Sequence, residues 1–255
     1  MQKTILITGA GAGIGAATAR HFAAQGWRVG LYDRDEASVR ALAAALGANA
    51  QAGLLDVTQP AHWQRVMQDW QQQVGRLDVL FNNAGILYSG PFEEISAEQH
   101  ARTFEVNVMG VIHGCLHALP LLRATPGSRV INMSSASAIY GQINLSSYSA
   151  SKFAVRALTE ALDGEWAAHG IKVMDIMPLF VQTGMLSGMK NKSVERLGVR
   201  ITPEDVARTV WQAAQDDHAL SPLHWVVGWQ TRLFYQLTRI TPAPLNRRIN
   251  RLIGR

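Results

Sequence analysis

At 255 residues, 47% hydrophobic and 17% charged, the chain is long enough to bury one sizeable α/β core and has no compositional break that argues for two. A single cysteine, Cys115, excludes an internal disulfide. Met1-Gln2-Lys3 runs straight into an apolar stretch and no later run approaches eighteen apolar residues, so neither a signal peptide nor a membrane span is expected and the chain reads as cytoplasmic. The formal charge of +5 sits at one end: residues 1–217 carry 18 basic and 19 acidic side chains, whereas six arginines and no acid follow Asp217.

In chain order, short apolar runs alternate with segments of helical period. Residues 5–8 read as a buried strand, 14–25 as a helix ended by Gly26, 28–32 as a strand, and 37–46 as a helix stopped by Gly47. A strand over 52–55, a helix over 61–74 closed by Gly75 and a strand over 79–82 continue the pattern. A long helix then starts near Ala97, with Ser96 and Gln99 as its capping box. A strand over 129–133, a helix over 148–169, a strand over 172–177, a helix from Pro203 behind Thr202 and a last strand over 225–227 complete it. Such alternation predicts one three-layer α/β/α domain, a doubly wound, mainly parallel Rossmann-like sheet whose ligands bind at the carboxyl ends of its strands. That domain covers 1–228, with a basic amphipathic extension over 229–255.

The first strand-to-helix turn is Thr8-Gly9-Ala10-Gly11-Ala12-Gly13-Ile14-Gly15. Glycines there let the backbone approach a pyrophosphate while the helix N-terminus faces the anion, so Gly9, Gly13, Ile14 and Gly15 are expected at a nucleotide; packing of helix on strand is the blander reading. Asp33, eighteen residues beyond Gly15, suits the ribose hydroxyls of an adenosine and repels a 2′-phosphate. Arg34 pulls the other way, toward NADP, and on balance NAD is favoured. The same two residues also fit an exposed turn pair. Further on, Tyr148 and Lys152 stand four apart, one helical turn, so an ammonium can lie beside a phenol and favour the phenolate. A half-buried aromatic beside a solvated lysine satisfies the same spacing. Ser135 lies thirteen residues upstream; Ser134 points the other way by strand alternation.

Taken together, Thr8-Gly9-x3-Gly13-x-Gly15, Asp56-Val57, Asn82-Asn83-Ala84-Gly85, Asn107, Ser135, Tyr148 and Lys152 resemble the short-chain dehydrogenases/reductases over about residues 1–217. The resemblance implies that Asp56 and Val57 bind adenine, that Asn83, Ala84 and Gly85 line the cofactor, and that Asn107 holds a water beside Lys152 in a proton relay. It further implies that Ser135 hydrogen-bonds the substrate oxygen, that Tyr148 exchanges its proton, and that Lys152 biases Tyr148 and grips the nicotinamide ribose, with Val181 and Thr183 near the carboxamide. A homodimer or homotetramer is implied in the same way. One departure stands out: Pro178-Leu179 where the family has Pro-Gly. Asn82 and Asn83 as turn caps, and Asn107 as an ordinary helix amide, remain open as structural readings.

Leu87, Tyr88, Tyr140, Leu145, Met185, Leu186 and Met189 are candidate walls of a substrate site, and 183–200, with glycines at 184, 188 and 198, reads as a lid. They favour a lipophilic secondary alcohol or ketone; no metal is expected. The alternative to an enzyme is a non-catalytic NAD(P)-binding sensor or scaffold. In the extension, Trp229, Leu233, Leu237 and Ile240 share one helical face and Leu245, Ile249, Leu252 and Ile253 another. That suits packing on the same or a neighbouring subunit, or a membrane surface; nucleic acid lacks any supporting motif.

Overall fold

Short apolar runs joined through helices can pair only in parallel, because each crossover returns the chain to the same end of the sheet. The computed structural model, which describes residues 1–186, 192–218 and 220–254 (without the side chains of Arg239, Ala243 and Ile253), shows seven such strands. They are β1 (Thr4–Thr8), β2 (Arg28–Asp33), β3 (Ala50–Leu54), β4 (Val79–Asn82), β5 (Arg129–Met133), β6 (Lys172–Pro178) and β7 (His224–Val227). Every neighbouring pair is parallel and the order is β3-β2-β1-β4-β5-β6-β7. After β3 the chain crosses to the far side of β1, so the crevice outside β1 and β4 is a switch point.

The described helices are α1 (Gly13–Ala24), α2 (Glu36–Leu46), α3 (Pro60–Gln73), α4 (Ala97–Phe104), α5 (Gly110–Ala124), α6 (Ser146–Trp166), α7 (Lys192–Leu197), α8 (Pro203–Gln215), α9 (Trp229–Ile240) and α10 (Ala243–Gly254). Strand alternation divides the core between the two faces of the sheet. Ile5, Ile7, Val29 and Leu31 pack with Phe22 of α1 and Val206 and Val210 of α8. Leu6, Leu80 and Val130 pack with Trp63 and Trp70 of α3, Leu122 of α5 and Val155 of α6. Cys115 is buried on this second face, as a packing residue.

Two sequence expectations are corrected. Helix α6 begins at Ser146, two residues before Tyr148, which places the phenol in its first turn. α4 and α5 run together through a wide π turn at Glu105–Met109, and an 18-residue window within the resulting 97–124 helix reaches a mean hydropathy of 1.3, enough by length and composition to cross a membrane. Half of that window is buried within the chain, where Val111, Cys115, Ala118 and Leu122 join the core, so it serves as a core helix. Among the alternatives for the α9 stripe, the chain's own core is not its partner, since Trp229, Leu233, Leu237 and Ile240 are all exposed. The segment expected as a lid forms a 3-10 turn at Gly184–Leu186 and then α7; Gly188 and Met189 lie outside the described residues.

Candidate active site

At the carboxyl ends of β1, β2, β4, β5 and β6 a cleft of about 400 Å³ opens. Its wall begins with the β1–α1 turn. Gly9 has φ +65, and a Cβ there would meet the Ala84 Cα at 2.8 Å; a Cβ on Gly15 would lie 2.1 Å from the Gly9 carbonyl oxygen. The turn is thus drawn tight against the β4 end, where Asn83 Nδ2 donates to the Thr8 and Gly9 carbonyls at 2.9 and 3.1 Å and the Asn83 and Ala84 amides donate to Thr8 Oγ1 at 3.0 Å each. Gly9, Gly13, Ile14, Asn83, Ala84 and Gly85 face the cleft; Gly15 backs the turn without lining it.

Asp33 lines the same end. Its Oδ2 accepts from the Gly11 amide and its Oδ1 from the Asp35 amide, at 3.0 Å each, so the carboxylate is fixed beside an exposed Arg34. Asp56 and Val57 follow. Burial alone would raise the Asp56 carboxyl, but bonds from the Thr58 amide and hydroxyl (2.9 and 2.7 Å) and the Arg102 charge outweigh it and hold the group below its ordinary value. Arg102, 3.6 Å from Asp56, was missed in the sequence: it lies far along the chain and belongs to no motif. This donor set fits a dinucleotide, with a cradle that side chains at Gly9 or Gly15 would fill, amides at a helix N-terminus for the phosphates and carboxylates for the ribose and adenine.

The other end holds the reactive groups. β5 runs into Ser134 and Ser135, which both border the cleft but differ in partner: Ser134 Oγ donates to the Lys152 carbonyl at 3.4 Å, whereas Ser135 Oγ accepts from the Ser137 amide at 3.1 Å. Tyr148 and Lys152 both line it, with Nζ 5.6 Å from the phenol ring centre. Nζ donates to the Met133 carbonyl at 2.7 Å. Burial pulls Lys152 down to about 8, partly countered by Asp175, and pushes Tyr148 up to about 12, partly countered by a hydrogen bond with Ser135. In the cofactor-free protein, burial thus favours the protonated phenol.

Asn107 lies within the π turn and is fully buried. Its Oδ1 accepts from the Ile86 amide at 2.8 Å, and its Nδ2 donates to the Ile86 carbonyl and to Ser151 Oγ, both at 3.0 Å. The widened turn thus ties the β4 end to α6. Between Asn107 Oδ1 and Lys152 Nζ stands Gly85, whose absent side chain would lie 3.3 and 3.7 Å from them.

Val181 and Thr183 line the cleft; Leu179 is buried and keeps an ordinary backbone, so replacing the expected glycine leaves β6 undisturbed. Leu87, Leu145, Met185 and Leu186 form its apolar wall together with Phe180, and the buried amide of Gln142 also borders it; the sequence singled out neither Phe180 nor Gln142. Tyr88 and Tyr140 are corrections. Neither lines the cleft, and the Tyr140 ring turns toward Phe234 of α9, 6.1 Å away. Behind Lys152, buried Asp175 bonds His224 at 3.0 Å, and His224 bonds Glu160 at 3.1 Å.

The short chain dehydrogenase family model matches residues 3–193. The meso-2,3-butanediol dehydrogenase of Serratia marcescens is 35% identical over 223 residues, covering 85% of this chain and 88% of its own. A 3-alpha-(or 20-beta)-hydroxysteroid dehydrogenase of Mycobacterium bovis is 33% identical over 220 residues, 86% and 85% of the two chains. Among solved structures, a 3-ketoacyl-(acyl-carrier-protein) reductase from Brucella melitensis complexed with NADH superposes with a TM-score of 0.82 at 28% identity, over 88% of this chain and 95% of that one.

Proposed function

The chain belongs to the short-chain dehydrogenase/reductase family, nicotinamide-dependent oxidoreductases acting on alcohol and carbonyl groups, and from that premise we propose that it interconverts a lipophilic secondary alcohol and its ketone with NAD, in the cytoplasm. The observation that carries this reading is the convergence of Ser135, Tyr148 and Lys152 on a cleft whose wall includes Leu87, Leu145, Phe180, Met185 and Leu186. Apolar walls with a few polar groups at one end select a substrate by its carbinol or carbonyl oxygen and its hydrocarbon body.

Ser135 donates to the substrate oxygen and Tyr148 takes or returns its proton. Lys152 stabilises the phenolate and holds a ribose hydroxyl; Asn107, through its bonds to Ile86 and Ser151, keeps Gly85 and α6 in register beside Nζ and completes the proton path. The bound nicotinamide supplies or accepts the hydride. Gly9, Gly13, Ile14 and Gly15 hold the pyrophosphate side, Asp33 and Arg34 the adenosine ribose, Asp56 and Val57 the adenine, and Val181 and Thr183 the carboxamide. Asp33, anchored by two amides, disfavours a 2′-phosphate and sets the preference for NAD over NADP.

Phe104, Met109 and Leu116 along α4–α5, and Phe153 on α6, are exposed apolar side chains that support a homodimer or homotetramer. Catalysis resides in 1–228; α9 and α10 form a basic extension with a contact surface of its own. The test is NADH formation from a panel of apolar secondary alcohols by the parent and by Tyr148→Phe. Turnover by the parent and a loss of 10²-fold or more in the variant is expected. NAD binding with no turnover of any alcohol or ketone would overturn the enzyme reading in favour of a sensor.

A further inference from the structure

α9 and α10 carry residues that neither the core nor the proposed chemistry uses. Trp229, Leu233, Leu237 and Ile240 fall within one sector of α9, and from 40 to 79% of each is exposed. The opposite side anchors the helix: Thr231 is buried, Phe234 meets Tyr140, and Tyr235 meets His224 with ring centres 6.3 Å apart. On α10, Leu245 and Leu252 are exposed and share a face. At about 100° per residue, Arg232 lies about 60° from Trp229 and Arg248 about 60° from Leu245, so guanidinium groups border both stripes. No acid follows Asp217 to neutralise them.

An exposed apolar stripe edged by arginines asks for a partner that is apolar within and anionic at its surface. A second copy meeting the first across a two-fold axis would set these arginines against their own counterparts, with no acid in the extension to pair them. An anionic lipid leaflet supplies both the hydrocarbon and the counter-charge, and Trp229 suits its boundary. We propose that α9 and α10 dock this protein on an anionic bilayer surface.

The docked surface adjoins the cleft. The Arg196 side chain on α7 donates to the Leu252 carbonyl of α10, Gln230 Nε2 donates to the Leu197 carbonyl at 3.3 Å, and Asn250 Nδ2 donates to the Gly141 carbonyl at 2.6 Å. Val194 and Leu197 of α7 pack in one cluster with Leu179, Phe180 and Leu186, which wall the cleft. A substrate dissolved in the leaflet would therefore meet the cleft rim first. This last step rests on the apolar-substrate reading above, whereas the docking does not.

The test uses the full chain without cofactor or substrate, so its failure is separable from any failure of activity. Sedimentation with vesicles of phosphatidylcholine alone is compared with phosphatidylcholine plus phosphatidylglycerol. At least tenfold stronger, salt-sensitive recovery is expected on the anionic vesicles. Leu233→Asp with Leu252→Asp, both at exposed positions, should abolish it, and Arg232→Gln with Arg248→Gln should weaken it about 30-fold. Recovery on neither vesicle, or equally on both, overturns the proposal. So does light scattering that shows Leu233→Asp splitting an assembly while vesicle recovery stays unchanged, which would make a second copy the occupant.

Discussion

Replacing Lys152 by Met removes a charge of known position without emptying its space, and two effects of opposite sign should follow. With Nζ 5.6 Å from the Tyr148 ring centre, a unit charge at an effective dielectric of about 20 stabilises a phenolate by about 3 kcal/mol, or about two pH units. At saturating NAD, the rising limb of kcat/KM for alcohol oxidation should therefore move up by about two units in Lys152→Met. A deuterated alcohol checks that hydride transfer limits the rate in both proteins. The second effect concerns the cofactor-free fold. Lys152 is depressed from 10.5 to about 8, so the native state binds fewer protons than the unfolded chain between those values; the stability lost to its burial is fully missing below pH 8 and regained toward 10.5. That deficit is about 3 kcal/mol at neutral pH, offset by about 1 for the bond to Met133. Lys152→Met should thus melt about 4–8 °C higher at pH 7, with the gain fading toward pH 10.5. A variant that melts no higher at pH 7, or whose pH midpoint moves by under about half a unit with hydride transfer limiting, would refute the charge assignment.

Asp33→Ala should improve kcat/KM for NADP relative to NAD by about tenfold or more, through about 1.4 kcal/mol of relieved repulsion; an unchanged ratio discards the role given to Asp33. Gly15→Ala forces a Cβ within 2.1 Å of the Gly9 carbonyl, so calorimetry should show destabilisation by about 2–3 kcal/mol together with lost NAD binding; native-like melting would show that the turn yields freely. Asn107→Ala deletes three hydrogen bonds of a fully buried side chain and should cost about 2–4 kcal/mol as well as turnover; lost turnover at unchanged stability would confine Asn107 to the proton path. The Cys115 thiol is pushed up to about 12 by burial, so mass spectrometry after maleimide treatment at pH 8 should find it unmodified in the native protein and labelled in guanidinium.

The sequence made the layers legible because strand and helix periods are local. The runs around Ile5, Val29, Leu80 and Val130 could only be buried strands, and the glycines after Thr8 could only serve a tight turn between strand and helix. The cleft residues that belong to motifs were legible for the same reason. Arg102 was not, since it reaches the cleft from α4 by packing against the distant Asp56 turn, which leaves no periodic trace, and Gln142 and Phe180 sit in loops that carry no motif of their own. The π turn at Glu105–Met109 was hidden as well: one extra residue in a helical turn changes no hydrophobic spacing a reader can see. The extension shows the limit from the other side. Its amphipathic stripe was plain in the sequence, but whether it turned in or out depended on which side of α9 met Tyr140 and His224. The rise of the Tyr148 phenol in the cofactor-free fold was not legible either, because burial is a property of the whole fold.

The crossover that carries the chain from β3 to β4 also sorts inheritance along the gene. Residues proposed to grip the adenosine all precede residue 58, and the groups proposed to touch a substrate oxygen all follow Met133. A splice within α3, whose outer face is solvent, would therefore exchange the residues proposed for the adenosine and leave the hydrocarbon wall untouched, provided the incoming half still offers Arg102 a carboxylate at position 56. Recombination at that seam offers such a chain new coenzymes without forfeiting its old substrates.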